Sequence, residues 1–302
     1  NVEAGQGDPM SGLTGLGGFT NGEATRVSGN TLKAYRQRLF LRQTWGLGEE
    51  SEYLESDFNQ MAGRVAKDRF VLTVGNFSAL DIFDDNAYAK DPRTQFLNWS
   101  NMAYSAYDYA ADARGFGWGF AAEWYQGDWV LRFGRMTGPK TPNGTDVDFR
   151  IAHHYGDQVE IEHAHTLAGH PGKIRLLAFR NRARLAAYTQ ASDWLAANSG
   201  SDPQAINAVR NGERIKYGFG VNLEQEIAND LGWFLRAMHA DGRTETFAFT
   251  EADGSFATGL SLKGGRWNRP DDTVGIAWMR NTISNERRDY LAQGGISFIA
   301  QS

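Results

Sequence analysis

Cysteine is absent from this 302-residue chain. Without a thiol, the protein has no disulfide scaffold, no cysteine-ligated zinc or iron–sulfur site and no cysteine nucleophile. Positive charge is not in excess either, because 31 Lys and Arg against 36 Asp and Glu give a formal net charge of −5. We therefore expect no nucleic-acid-binding surface.

Long apolar runs are also missing. No stretch approaches the roughly 18 consecutive apolar residues that a transmembrane helix needs. The first residues resemble no signal peptide and include no initiator methionine, so we expect a processed or trimmed chain. The mean hydropathy of −0.50 does not exclude a membrane β-barrel, because lipid-facing and lumen-facing residues alternate along its strands and their hydropathies average out.

Aromatic residues and glycine are abundant, with 18 Phe, 9 Trp, 11 Tyr and 35 Gly, whereas proline occurs only 7 times. In residues 115–138, Phe116, Trp118, Phe120 and Trp124 share one parity, and small or polar residues occupy the other. A period of two predicts a strand. A turn and a second alternating run complete a predicted hairpin with one very apolar side.

Similar alternation predicts about eleven strands joined mostly by short turns, which is an antiparallel meander, and no amphipathic helix of comparable strength. The strands are predicted within residues 32–45, 70–77, 115–138 (two strands), 158–167, 173–188, 215–226, 233–237, 256–263, 273–283 and 295–300.

The pattern leaves open which side of the sheet is inside. A soluble sandwich buries its apolar face, whereas an outer-membrane barrel turns that face to lipid and lines a lumen with the polar one. In residues 32–45, Tyr35 and Trp45 bracket Leu39 and Leu41 on one parity. At the usual rise and tilt these two aromatics are about 25 Å apart in height, the spacing of aromatic girdles.

The polar parity carries arginines in rows, which favours a water-filled interior, although an ordinary solvated face would also explain either row. The rows are Arg36, Arg38 and Arg42, and Arg180, Arg182 and Arg184.

Long segments of the chain resemble the OprB-type carbohydrate-selective porins of Gram-negative outer membranes. The resemblance is carried mainly by residues 70–143, in the runs LTVGNF (72–77), DIFDDNAY (81–88), DPRTQFLNW (91–99) and AYDYAADARG (106–115), and later by HPGKIRLLA (170–178), RPDDTVG (269–275) and RRDYLA (287–292).

This resemblance implies an all-β protein, a transmembrane antiparallel β-barrel of about sixteen strands in the cell outer membrane, in contact with its lipid. Carbohydrates would diffuse through it without a cofactor, a metal or an enzymatic reaction. We expect one domain over residues 1–302, irregular over residues 1–30. Eleven strands are fewer than sixteen, so we expect flanking strands to be missing from this sequence. The resemblance leaves open whether the channel is a monomer or a homo-oligomer.

Residues 81–112 include a polar, non-periodic stretch that is long for a barrel turn. We expect a loop that folds into the lumen and narrows it, although Asp84 and Asn86 would also suit a turn or cap, and Trp99 would also suit packing on the wall. The candidate sugar contacts in the loop and the wall are Arg36, Arg38, Arg42, Asp84, Asn86, Arg93, Asn98, Trp99, Glu123 and Arg132.

Two alternatives remain from the sequence. One is a porin for small anions or aromatic acids, which the arginine rows would serve equally well. The other is a soluble β-sandwich lectin or glycosidase, since a catalytic carboxylate pair is not excluded by spacing alone. His163 and His165 share a parity, but we expect them near a membrane interface rather than around a metal.

Overall fold

The structure is a computed structural model that describes residues 2–5, 33–57, 59–96, 98–142, 144–198, 205–246 and 252–296. In chain order its strands are β1 (Val2–Gly5), β2 (Lys33–Arg36), β3 (Leu39–Gly46), β4 (Ser51–Leu54), β5 (Gly63–Ala66), β6 (Arg69–Phe77), β7 (Gly117–Gln126), β8 (Trp129–Met136), β9 (Tyr155–Leu167), β10 (His170–Arg184), β11 (Glu213–Ala228), β12 (Leu231–Ala240), β13 (Gly254–Lys263) and β14 (Thr273–Thr282). The α-helices are α1 (Tyr188–Ala197), α2 (Ala205–Ala208) and α3 (Asn285–Ala292).

Ten of these strands form one antiparallel sheet in the order β14-β13-β12-β11-β10-β9-β8-β7-β6-β3. From β6 to β14 every strand pairs with its neighbour in sequence, which confirms the predicted meander. Strand β3 pairs with β6 because β4 and β5 form a separate hairpin between them. Strands β1 and β2 form a further two-stranded sheet.

The strand predicted at residues 32–45 is wrong as a single element. It is interrupted at residues 37–38, so β2 and β3 belong to different sheets. Tyr35 and Trp45 therefore do not mark two girdles on one strand.

Two predictions near the chain ends also need correction or fall outside the structure. Residues 2–5, predicted to be irregular, form β1, and residues 6–30 lie outside the described residues. Of the strand predicted at residues 295–300, Gly295 and Ile296 are described and are not in a strand, and the remainder is not described.

The sequence missed helices α1 and α3 because each has a weak apolar pattern. In α1 the buried side chains are Tyr188, Ala191 and Leu195, a narrow stripe on one face. Ser284 precedes the first residue of α3 and is its N-cap, since its hydroxyl accepts a hydrogen bond from the backbone N–H of Arg287. Among the described residues, no helix is long and apolar enough to span a membrane.

The connections differ in length at the two ends of the sheet. Strand pairs β7–β8, β9–β10 and β11–β12 are joined by two-residue turns at one end, which we call the short-turn end. In one of these turns Ala168 and Gly169 have φ angles of 52° and 84°, as a tight hairpin turn requires. The opposite end, the long-connection end, carries the described parts of residues 78–116, 137–154, 185–212 and 241–253.

Burial on the two faces is the reverse of that in a soluble sheet. On β8, Leu131 and Phe133 are 42% and 40% exposed, whereas Arg132 between them is only 6% exposed. Similar alternation occurs on β9, β10 and β11. We call the side of the sheet that carries Leu131 and Phe133 the apolar face, and the side that carries Arg132 the polar face.

Candidate channel-lining site

The polar face carries paired charges at matching positions on neighbouring strands. Glu123 of β7 lies opposite Arg132 of β8, which in turn lies opposite Glu160 of β9. The Arg132 guanidinium is 3.4 Å from Glu123, 2.9 Å from Glu160 and 3.1 Å from Glu162. All four side chains are buried, so one arginine is surrounded by three carboxylates.

The same arrangement continues across the next strands. Arg175 of β10 contacts Glu162 at 2.7 Å and Glu224 of β11 at 3.0 Å. Its register partner on β11 is Asn222, which lies opposite Arg236 of β12. The buried network therefore spans six consecutive strands.

Residues 78–116, which we call the inner segment, dock onto this network. The carboxylate of Asp84 forms a buried ion pair with Arg236 and accepts a hydrogen bond of 3.2 Å from the Asn222 amide. The backbone N–H of Asp84 donates to Glu160 at 2.9 Å. The left-handed φ of 64° at Asp84 suits this double contact, since aspartate tolerates that region better than most residues.

Asn86 fixes the following turn. Its amide nitrogen donates to the side-chain oxygen of Asn222 at 2.7 Å, and its amide oxygen accepts from the backbone N–H groups of residues 88–89. The backbone N–H of Ala87 donates to Glu224 at 2.7 Å. These contacts are those of a turn-forming residue, the alternative role for Asn86.

Apolar packing holds the other half of the inner segment against the sheet. Tyr107 lies 5.5 Å, ring centre to ring centre, from Phe179 of β10. Together with Phe83, Tyr104 and Leu177 these rings belong to the largest buried apolar cluster. The inner segment is therefore anchored both by ions and by a small core.

The predicted arginine row is divided between different surroundings. Arg36 lies over the ring of Trp118 at 4.8 Å and is exposed, with Trp118 on the parity of the apolar face. Arg38 forms a bidentate ion pair with Asp81, at 2.8 and 2.6 Å. Arg42 donates to Thr73 at 3.1 Å on the polar face of β3 and is exposed there.

The remaining candidates fall into two groups by accessibility. Asp84, Asn86, Glu123 and Arg132 are buried. Two candidates of the inner segment are less enclosed: Arg93 is exposed, and the half-buried Asn98 donates to the Met279 sulfur at 3.3 Å. The side chain of Trp99 lies outside the described part of the structure.

Asp85 is a half-exposed acid of the inner segment, and two cations lie near it. Its carboxylate is 2.5 Å from Lys90 and 3.7 Å from Arg175. Although burial alone would raise it, the charges of Lys90 and Arg175 lower the pKa of Asp85 to about 2. Asp85 is therefore ionised at any physiological pH.

Two open cavities flank the tip of the inner segment, and Tyr88 borders both. The larger has a volume of about 420 Å³ and is lined by rings and polar groups of the segment, including Tyr88, Gln95 and Phe96, and by polar residues of β11–β14. The second, of about 350 Å³, lies between Tyr88, Lys173 and Glu224. Each combines charged or hydroxyl groups with the face of an aromatic ring.

Sequence reasoning missed most of the network. Glu160, Glu162, Arg175, Glu224 and Arg236 were not among the candidates. The missing signal was available, because each of these residues alternates with outward apolar side chains on a strand that was predicted.

His163 and His165 lie on β9 near the short-turn end. His163 stacks on Trp129 with ring centres 4.2 Å apart, and His165 is 3.0 Å from Gln225. Within the described ranges, no group of three or more acidic or histidine side chains is arranged to hold a metal ion.

This architecture was compared with known proteins. No curated protein matches the chain. The structure of OprB from Pseudomonas putida at high pH is similar in fold, with a TM-score of 0.55 and 16% sequence identity. The similarity covers 74% of this chain and 53% of that one, so this chain spans about half the length of that protein.

The expected fold class, an antiparallel porin β-barrel architecture, is confirmed by that similarity. In the part of the chain described, β3 and β14 are the two edges of the sheet. The model of the OprB family, described as carbohydrate-selective porins, matches residues 1–300. The chain therefore belongs to the OprB family of carbohydrate-selective porins.

Proposed function

We propose that this chain forms the wall and constriction of an outer-membrane channel through which carbohydrates diffuse, without a cofactor or an enzymatic reaction. The observation that carries the proposal is the reversed polarity of the sheet. Leu131, Phe133 and Ile161 are exposed on one face, while Arg132 and Glu160 are buried on the other. Lipid on one side and a hydrated passage on the other account for this arrangement, whereas a soluble sandwich does not.

The pairing of charges favours neutral sugars over the alternative substrates, small anions or aromatic acids. Arg132, Arg175 and Arg236 each contact at least one carboxylate. A passage for anions needs a surplus of positive field along its wall. Here most of that field is neutralised locally, while donors and acceptors for hydroxyl groups remain.

The inner segment supplies the proposed constriction. We propose that residues 81–112 narrow the passage and that Asp84, Asn86, Glu123 and Arg132 hold the constriction in place rather than contact sugar, because their side chains are buried. Arg42, Arg93, Asn98 and Trp99 remain proposed contacts.

Additional proposed contacts come from the two cavities. Tyr88 and Phe96 offer flat ring faces for the C–H faces of a sugar, and Lys173 and Glu224 offer a hydrogen-bond donor and an acceptor. Contacts of this kind are individually weak, which passage requires, since a tightly held sugar would not leave.

Single-channel recording in planar bilayers tests the proposal. We expect stepwise channels whose current falls saturably when glucose or short glucans are added. In Lys173→Ala the sugar concentration for half-block should rise about threefold or more, the loss of one weak hydrogen bond. Lys140→Ala, an exposed lysine of the long-connection end, is the matched control. Channels blocked by carboxylates but indifferent to sugars would favour the anion porin, and folded protein without channels would refute a pore.

A further inference from the structure

One of the two arginine rows is not among the proposed contacts of the passage. It consists of Arg180, Arg182 and Arg184 on β10. They were predicted to lie on the polar side of their strand, and this prediction is wrong. On β10 the side chains of Leu177 and Phe179 are buried against the inner segment, whereas Arg180 and Arg184 are exposed. The row therefore lies on the same side of the sheet as the apolar face, at the end of β10 nearest the long-connection end.

Strand register shows where the row lies relative to the apolar side chains. Phe133, Val159, Ala178 and Phe219 occupy matching positions on β8 to β11. The outward positions two residues nearer the long-connection end are Arg135, Asp157, Arg180 and Tyr217. At this height charged side chains replace the apolar band on β8, β9 and β10, whereas on β11 the exposed Tyr217 and Ile215 continue it.

The charges on the outward side at the long-connection end of β8 to β11 do not cancel. Arg135 forms a bidentate ion pair with Asp157, at 2.6 and 2.9 Å, and Arg182 contacts Glu213 at 2.6 Å. Arg180 lies 6.0 Å from the ring of Tyr155 and, like Arg184, forms no hydrogen bond or ion pair with any residue that the structure describes.

Two guanidinium groups are thus left over, four residues apart on one face. At the rise of a strand, their Cα atoms are about 13 Å apart. A guanidinium donates a planar pair of hydrogen bonds that matches a phosphate group well. The position directly above exposed apolar side chains is where the head group of a membrane lipid would lie.

We propose that Arg180 and Arg184 form a docking surface for the phosphate groups of the glycolipid in the outer leaflet, lipopolysaccharide. This inference rests on the proposed function, which places the apolar face in an outer membrane, with long connections outward as in other barrels. Acyl chains of the lipid would contact Phe219 and its apolar neighbours, and Tyr217 would lie at the interface.

Binding of purified lipopolysaccharide to the detergent-solubilised protein tests the surface. The double variant Arg180→Ser/Arg184→Ser should bind about tenfold or more weakly, given the usual contribution of basic residues near an anionic leaflet. The matched control is Arg64→Ser/Arg266→Ser, which removes two arginines from the short-turn end and should bind as the unmodified protein does.

Three further measurements separate the explanations. Enzymatically dephosphorylated lipopolysaccharide should bind equally weakly to the unmodified protein and to the double variant. Competition by millimolar inorganic phosphate would indicate a site for the free ion, and unchanged lipopolysaccharide affinity in the double variant would indicate no site; either result overturns the proposal. Sugar block of the channel should be unchanged in the double variant, so failure here is distinct from failure of the proposed function.

Discussion

The ring of Tyr88 lies against the backbone of Gly232, so closely that a Cβ atom at Gly232 would come within 2.1 Å of the ring. Tyr88 belongs to the tip of the inner segment and Gly232 to β12. We expect Gly232→Ala to push the ring away and move the tip, because the added methyl group would occupy space that the Tyr88 ring fills. Single-channel conductance should change by a measurable step, and the block by sugar should weaken.

A control for this substitution is available elsewhere in the chain. Gly63 has nothing within 4 Å of the position that a Cβ atom would take. Gly63→Ala should therefore leave conductance and sugar block unchanged. Equal behaviour of the two alanine variants would mean that the tip of the inner segment does not shape the passage.

The ion pair between Asp84 and Arg236 is expected to hold the inner segment in place. Asp84→Ala leaves Arg236 buried without its carboxylate, which in comparable cases costs about 3–5 kcal/mol. We expect faster proteolysis within residues 78–116 and larger, noisier channels. Adding Arg236→Met to Asp84→Ala should restore part of the loss, since it removes the unpaired charge. Asp85→Ala, which alters a half-exposed side chain, should have a much smaller effect.

Ion selectivity should distinguish the arginines that the sequence grouped together. Arg42 is exposed on the polar face of β3, whereas Arg36 lies over Trp118 on the other side. We expect Arg42→Ala to shift the reversal potential in a salt gradient toward cation preference and Arg36→Ala to leave it unchanged. A shift of equal size in both variants would contradict this placement.

The apolar face should be sensitive to charge according to depth. Leu131 lies in the middle of the exposed apolar side chains of β8, so Leu131→Lys should destabilise the protein in lipid by about 2–4 kcal/mol. Gln126→Lys, at the short-turn end of β7, should cost less than about 1 kcal/mol. Urea titration of protein folded into lipid vesicles measures both. Equal stability of the two variants would argue against burial of this face in a bilayer.

Strands with strong alternation could be predicted from the sequence, and their bounds agree with the structure to within a few residues. The hairpin at residues 115–138 is the clearest case, because bulky outward side chains alternate there with small or buried ones. The break at residues 37–38 could not be predicted. It involves the ion pair between Arg38 and Asp81, residues 43 positions apart.

The facing of charged residues was harder to predict than the strands that carry them. A period of two separates two faces but does not say which face is polar at a given height. On β10 the inward Phe179 packs on the inner segment, and the outward Arg180 lies beyond the apolar band. An apolar residue therefore points inward and a charged one outward, the opposite of β8. Arg175 and Arg236 alternate with outward apolar side chains, which indicates their facing, but periodicity does not reveal that they contact Glu162, Glu224 and Asp84 on other parts of the chain.

The network around Arg132 also bears on how the strands find their alignment. If β8 slipped by one residue, Arg132 would turn toward lipid and a leucine or phenylalanine would face Glu160. A charge in lipid and an unpaired buried carboxylate would both destabilise the shifted register. The same argument applies to Arg175, which lies between Glu162 and Glu224. Misaligned hairpins would thus be unstable before the last strands pair. The interior charges would therefore select the correct strand register during assembly.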